Sequence, residues 1–314
     1  MKHAVYVDGQ EGTTGLVIHE ALAARADIEL LSIDSARRKD AGERARLLNA
    51  AEVAFLCLPD AAAREAVALV RNPGTCLIDA STAHRTLAGW AYGVPELARE
   101  QREQLRRSKR IANPGCHAAA FVLLVRPLVD AGLLSSKELL SATSITGYSG
   151  GGRKMIEQYR KGGDGLAAPR PYALSLAHKH LPEMTVHAGL ATRPIFQPVV
   201  GDYYKGLSVS VPLHLARLPA GTTPEALHGV YTRHYAGERF VRVMPLSDPE
   251  TLEGGTFDVQ ACNDTNRADL FVFANETQVL LVARLDNLGK GASGQALQTM
   301  NLHLGLDEGT GLRG

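Results

Sequence analysis

The chain has 314 residues, with 34 Lys+Arg against 33 Asp+Glu (formal net charge +1 at pH 7), 45% hydrophobic and 21% charged residues. A near-neutral balance gives no electrostatic footprint for nucleic acid, and no apolar run reaches the ~18 residues needed to span a bilayer, so neither is expected as a partner. Cys57, Cys76, Cys116 and Cys262 lie far apart without a CxxC pair; this argues against a zinc ribbon or a disulfide framework and for free thiols in a reducing, cytoplasmic setting.

Length beyond ~250 residues predicts about two domains. The first 110 residues alternate strand-type runs (His3–Asp8, Ile28–Asp34, Val53–Leu58, Cys76–Ala80) with helical segments (Thr14–Arg25, Ala41–Ala50, Asp60–Arg71), the pattern of a parallel sheet wrapped by helices. The N-terminus enters the first strand at once, so no signal peptide is expected. Between the first strand and helix lies Gly9-Gln10-Glu11-Gly12-Thr13-Thr14-Gly15. Its glycines permit a tight turn and let backbone N–H groups approach a pyrophosphate at the helix start, so Gly9, Gly12, Thr13, Thr14 and Gly15 are candidate dinucleotide-binding residues. At the end of the second strand Asp34 could grip a ribose 2′-OH, but Ser35-Ala36-Arg37-Arg38-Lys39 follows. A hydroxyl and three cations suit a 2′-phosphate, and Ser35, Arg37 and Arg38 point to NADP over NAD; a solvated basic loop is the alternative. Asp79-Ala80-Ser81-Thr82-Ala83-His84-Arg85 ends the fourth strand, where open α/β sheets bind ligands, making Ser81 and Arg85 candidates.

Asn113-Pro114-Gly115-Cys116-His117 ends the strand at Arg110–Ala112 and opens an apolar helix over Ala118–Val129. Asn113 reads as the cap and Pro114 as the first helical residue. That puts Cys116 in the first turn, where free N–H groups and the helix dipole favour a thiolate; an ordinary buried cysteine is the other reading.

Beyond this helix the texture changes. Leu139–Thr146, Gly206–Leu215, Phe240–Met244, Phe257–Cys262, Leu270–Ala274 and Thr277–Leu285 are strand-like, and a helix is expected over Pro224–Tyr235. This predicts an α+β domain with a largely antiparallel sheet. Gly147-Tyr148-Ser149-Gly150-Gly151-Gly152-Arg153-Lys154 reads as an anion site, with Arg153 and Lys154 as its cations.

In His178-Lys179-His180-Leu181-Pro182-Glu183, Pro182 argues against a helix and for an extended chain on which both histidines point the same way. With His187 they could bind metal, but no Cys or Asp partner stands at ligand spacing, so no metal is expected. A histidine acid/base oriented by Glu183 fits better, and a surface loop remains the plain alternative. The closing Asn287-Leu288-Gly289-Lys290-Gly291-Ala292-Ser293-Gly294-Gln295 leads into a helix at Ala296–Leu304 that could cap the second domain or return to the first. A dinucleotide fold, a thiol, a histidine and anion sites together suit reduction of an acyl phosphate through a thioester.

The chain also resembles a known family. Val7–Gly15, Ala91-Tyr92-Gly93-Val94-Pro95-Glu96-Leu97, Asn113-Pro114-Gly115-Cys116, Gly150-Gly151-Gly152-Arg153, His178–Glu183 and Lys290–Ala296 match, in chain order, the shorter type of N-acetyl-γ-glutamyl-phosphate reductases, relatives of aspartate-semialdehyde dehydrogenase. The resemblance implies an NADPH-dependent, arginine-biosynthetic, homo-oligomeric enzyme (dimer or tetramer), with Cys116 as nucleophile and His180 as acid/base. It also implies that Arg85, Arg153, Lys154, His178 and Glu183 hold substrate, and that the C-terminal loop, with Gly291, Gly294 and Gln295, returns to the nicotinamide. Domains are then expected at 1–115, completed by 287–314, and at 116–286. Residues 79–85 depart from the commoner Asp-Leu-Ser-Ala-Asp-Phe-Arg, which bears on the role of Arg85. A reductase of another acyl phosphate, such as aspartyl phosphate, and a non-catalytic NADP-binding regulator are the competing readings.

Overall fold

The computed structural model describes residues 2–163 and 165–314. The chain divides into two compact units: Met1–Pro95 with Glu100–Pro114 and Ala292–Leu312, and Glu96–Arg99 with Gly115–Gly291 and Arg313–Gly314.

The first half of the chain runs β1 (His3–Asp8), α1 (Thr13–Ala23), β2 (Ile28–Leu31), α2 (Ala41–Ala50), β3 (Val53–Leu56), α3 (Asp60–Leu69), β4 (Cys76–Asp79), β5 (Ala91–Tyr92), α4 (Gln101–Arg107) and β6 (Arg110–Ala112). The six strands form one sheet in the order β2-β1-β3-β4-β6-β5, parallel throughout. Alternation along the strands builds two cores. Val5, Val7, Phe55 and Ile78 face one way, Tyr6, Ala54, Leu56 and Leu77 the other.

The second half runs α5 (Cys116–Asp130), β7 (Ser141–Gly147), α6 (Gly152–Lys161), β8 (Arg170–Pro171), α7 (Leu181–His187), β9 (Ile195–Gly201), β10 (Leu207–His214), α8 (Pro224–His234), β11 (Val241–Val243), β12 (Ala268–Ala274), β13 (Gln278–Leu285) and α9 (Gly294–His303). The last helix packs Ala296, Leu297, Met300 and Leu302 into the Val5 core of the first unit. The seven strands of the second unit lie in the order β11-β12-β13-β10-β7-β9-β8, with four antiparallel pairings and two parallel ones. Its central helix, α5, is buried from His117 to Val125. Pro127 inside that helix cannot donate to the Leu123 carbonyl. The Tyr235 hydroxyl does so instead at 2.6 Å, and Tyr231 from α8 serves the Leu124 carbonyl at 2.6 Å.

Three expectations need correction. Phe257–Cys262 is a run of turns rather than a strand, because Cys262 and Arg267 are drawn to Asp269 instead of to a ladder. Pro182 opens α7 instead of forbidding a helix: it sits at the helix start, where no N–H is needed, and His180 is the cap residue in helical conformation. Asn113 is not the cap of α5; the helix begins at Cys116 behind an extended Gly115. The strand β9 and the helix α4 carry no clear periodicity and are seen only in the structure.

Candidate active site

Cys116 opens α5, whose first residues have no side-chain cap. The N–H of Gly115 is instead taken by Glu183 Oε2 at 3.1 Å, and the other carboxylate oxygen, Oε1, stands 4.0 Å from His180 Nε2. One buried carboxylate therefore ties the cysteine loop to the start of α7. Cys116 is hemmed in by Gly291, where an added Cβ would lie 2.7 Å from Cys116 Cβ and 3.1 Å from the Asp286 carbonyl oxygen.

His117 follows Cys116 and is 4% exposed. Its Nδ1 lies 2.8 Å from Ser144 Oγ and its Nε2 3.0 Å from the Tyr172 hydroxyl. Burial, with the neighbouring His178 and Lys179, pushes the imidazole down to about 3, so it is neutral at physiological pH. The rings of His178 and His180 are each 5.5 Å from that of His117, and 4.7 Å from one another. Among the described residues these three imidazoles are the one group whose ligand atoms gather within 4.8 Å; His117, not His187, is the third member. Both nitrogens of His117 already have hydroxyl partners, and His178 Nδ1 accepts the His180 N–H at 3.1 Å. These hydrogen bonds compete with an ion for the same nitrogens. Burial pushes the thiols of Cys57 and Cys76 up to about 12 and that of Cys262 to about 11, leaving these three as thiols.

The first unit contains a cavity of about 480 Å³ at the carboxyl ends of β1 and β3, lined by Asp8, Gly9, Gly12, Arg38, Lys39 and Arg44 among others. It fits a dinucleotide. Gly9 has φ +93°, and a Cβ there would strike the Cys57 carbonyl oxygen; one on Gly15 would strike the Gly9 carbonyl oxygen. Only glycine lets the chain turn and the helix start approach so closely. The α1 N-terminus has no side-chain cap, so its N–H groups remain for phosphate. In the same unit Gln295 is fully buried with neither side-chain amide atom partnered, and Asn113 Oδ1 is unpartnered too.

The structure sorts the other candidates. Asp34 caps the turn Ser35–Arg37 through the Ala36 N–H, which occupies the carboxylate that would suit NAD. Arg38 and Lys39 line the cavity. Ser35 and Arg37 do not, and Arg37 is held by Asp40 at 3.7 Å and Glu43 at 3.3 Å. Ser81 donates to Asp79 at 2.6 Å, and His84 binds the same carboxylate while stacking on Trp90. Arg85 is buried, with Nε on the Asn113 carbonyl and Nη2 on that of Ala80. Arg153 and Lys154 are solvent-accessible on the first turn of α6, Arg153 3.8 Å from Glu157; no described contact joins them to the histidine cluster.

Sequence reasoning missed His117, Ser144 and Tyr172. Ser144 was legible as a small polar residue at an inward position of β7, where buried and exposed residues alternate; nothing in the local pattern marks Tyr172. It also missed why the Glu96 and Lys290 motifs occur together. The fully buried Lys290 ammonium lies 2.7 Å from Glu96 Oε1.

Two family models cover the chain: semialdehyde dehydrogenase, NAD binding domain, over residues 4–105, and semialdehyde dehydrogenase, dimerisation domain, over 116–287. It is 47% identical over 320 residues to N-acetyl-γ-glutamyl-phosphate reductase 2 of Nostoc sp., covering 99% of both chains. The chain belongs to the N-acetyl-γ-glutamyl-phosphate reductase family. Another member, from Burkholderia lata, is 49% identical over 96% of both chains. Solved structures carry the same fold at far lower identity. Aspartate semialdehyde dehydrogenase II of Vibrio cholerae matches with TM-score 0.72 at 14% identity, over 97% of this chain and 98% of that one. The enzyme from Francisella tularensis matches with TM-score 0.72 at 14% identity, over 96% and 99%. These two establish the fold alone, whereas reductase family membership rests on the near-50% identities.

Proposed function

We propose that the chain reduces N-acetyl-γ-glutamyl phosphate with NADPH to N-acetyl-L-glutamate 5-semialdehyde and phosphate, as a step of arginine biosynthesis. The observation that carries this reading is Cys116 at the start of a buried helix, bound through Gly115 and Glu183 to the turn bearing His178 and His180, in a chain of this family.

Cys116 attacks the acyl carbon, the C–O bond to phosphate breaks, and a thioester forms on the sulfur. The Gly9–Gly15 turn, the α1 N-terminus and Arg38 would hold NADPH, which when bound would supply the hydride. His180 protonates the oxygen of the resulting hemithioacetal and takes that proton back when the C–S bond breaks and the aldehyde leaves. Glu183 holds His180 and the cysteine loop in register. Arg153, Lys154 and His178 are the groups we assign to the substrate's phosphate and carboxylate, while Arg85 braces the Asn113 carbonyl.

We further infer a homodimer or higher oligomer built on the seven-stranded sheet: Ile145 and Leu280 stand 42% and 40% exposed on β7 and β13, and one of the matching family models is a dimerisation domain. The enzyme works in the cytoplasm, where its four free cysteines stay reduced. The described residues contain no helix long and apolar enough to cross a membrane.

Acyl-enzyme trapping tests the reading. Mixed with the acyl phosphate and no cofactor, the protein is expected to gain one N-acetylglutamyl group on Cys116, and C116S none. An unmodified wild type, or C116S turning over near the wild-type rate, overturns the covalent route. Preference for aspartate semialdehyde in the reverse assay with phosphate and NADP overturns the substrate.

A further inference from the structure

A chain of hydrogen bonds runs from the interior of the second unit through His117 to Tyr172, which lies near enough to Cys116 to feel its charge, and the atoms in it fix its direction. Ser144 Oγ donates to the Ser208 carbonyl oxygen at 2.8 Å, an atom that can only accept. A serine hydroxyl has one proton, so toward His117 the same oxygen accepts, and the proton of that 2.8 Å contact belongs to His117 Nδ1. The ring is buried and neutral, so Nε2 carries a lone pair, and the 3.0 Å contact there is filled by the Tyr172 O–H. The phenol proton is thereby committed inward. What Tyr172 can offer to a ligand beside Cys116, within sight of His178 at 5.9 Å between rings, is an acceptor lone pair and nothing else.

Resting on the reading of the function above, we propose that Tyr172, oriented by His117 and Ser144, accepts a hydrogen bond from the N–H on the α-nitrogen of the substrate, and that His117 is a positioning residue for this contact. The α-nitrogen is the only N–H of an N-acetylglutamyl group. An acceptor-only phenol discriminates it from an oxygen at the same place, where two lone pairs would face each other. It also bars Tyr172 from acting as the proton donor to the hemithioacetal oxygen and leaves that task to His180.

The relay itself is tested without substrate. In ¹⁵N-histidine-labelled enzyme, the signal lost in H117Q is expected to report the Nδ1–H tautomer; an Nε2–H tautomer overturns the relay. The contact is tested in the reverse reaction with N-acetylglutamate semialdehyde and its acetoxy analogue, which has oxygen in place of N–H. Wild type is expected to favour the N–H substrate about tenfold in kcat/KM, the worth of one hydrogen bond of about 1.4 kcal/mol. Y172F is expected to lower that preference below about twofold, mainly through KM, because an interaction made equally in ground and transition states is removed. H117F releases the phenol proton and is expected to lose the preference likewise, whereas H117Q, whose amide supplies both a donor and an acceptor, restores most of it. Y172F keeping the tenfold preference, or losing kcat at constant KM, overturns the contact. A wild type inactive with the N-acetylated semialdehyde but active with another refutes the proposed function instead, and the tautomer then still decides the relay.

Discussion

Gly291→Ala puts one methyl group against the wall of the thiol site, and the structure sets its cost. The new carbon would stand 2.7 Å from Cys116 Cβ, 3.1 Å from the Asp286 carbonyl oxygen and 3.1 Å from Leu285 Cδ1. Carbon atoms rest about 3.5–4.0 Å apart, so Cys116 must retreat by roughly 1 Å or the Gly291 segment must move away. Segment movement is resisted by the Gly291 N–H, bound to the Asp286 carbonyl at 2.9 Å, and by the buried Lys290–Glu96 pair next to it. Overpacking of this kind costs about 1–3 kcal/mol of stability, and a displacement near 1 Å at the proposed nucleophile about a hundredfold in rate. We expect G291A to lower kcat/KM in the reverse assay by about that factor, with altered kinetics of Cys116 alkylation in the cofactor-free enzyme. Normal alkylation and normal kcat with only a raised KM for NADP would refute this argument and reduce Gly291 to a residue that makes room for cofactor.

R38E should raise KM for NADP about tenfold or more, as loss of a charge-assisted contact to phosphate implies, while R37E should stay within about twofold because its partners are Asp40 and Glu43; equal effects would show that the basic loop acts only as a diffuse field. His117 is held near 3 when folded against 6.5 ordinarily. Between those values the unfolded chain binds more protons, so stability falls as pH falls, by about 1.4 kcal/mol per pH unit. H117Q should flatten the loss of urea midpoint between about pH 6 and pH 4, and an unchanged slope would place the acid sensitivity elsewhere. Y235F leaves the Leu123 carbonyl without its donor and should cost about 1–3 kcal/mol in thermal or urea unfolding, with kcat/KM intact.

Periodicity made the parallel sheet and the second, mostly antiparallel sheet legible, since Val5, Val7 and Tyr6, or Ala142 and Ser144 among their exposed neighbours, alternate as a pleat demands. Cys116 was legible from its place between a strand and an apolar helix. Local rules failed where a distant partner decides. Pro182 looked like a helix breaker until its position in the first turn of α7 was known. Asn113 looked like a cap, but its side-chain amide donates to the Ala292 carbonyl and its own carbonyl accepts from Arg85. Arg37 and Arg38 are equivalent as letters, and only the turn capped by Asp34 decides which one faces the cavity. Tyr172 lies in a segment without regular structure, and its meaning depends on a serine and a histidine placed by β7 and α5.

The raised thiol pKa values of the other cysteines have a practical consequence. With Cys57 and Cys76 pushed up to about 12 and Cys262 to about 11, a soft electrophile at neutral pH meets three sulfurs that are almost entirely protonated, and a cysteine at an uncapped helix start. The protein therefore carries a built-in counting label. One fluorophore per chain would report the fraction of competent molecules in a preparation, and energy transfer between labels would test the proposed oligomer without any engineered cysteine.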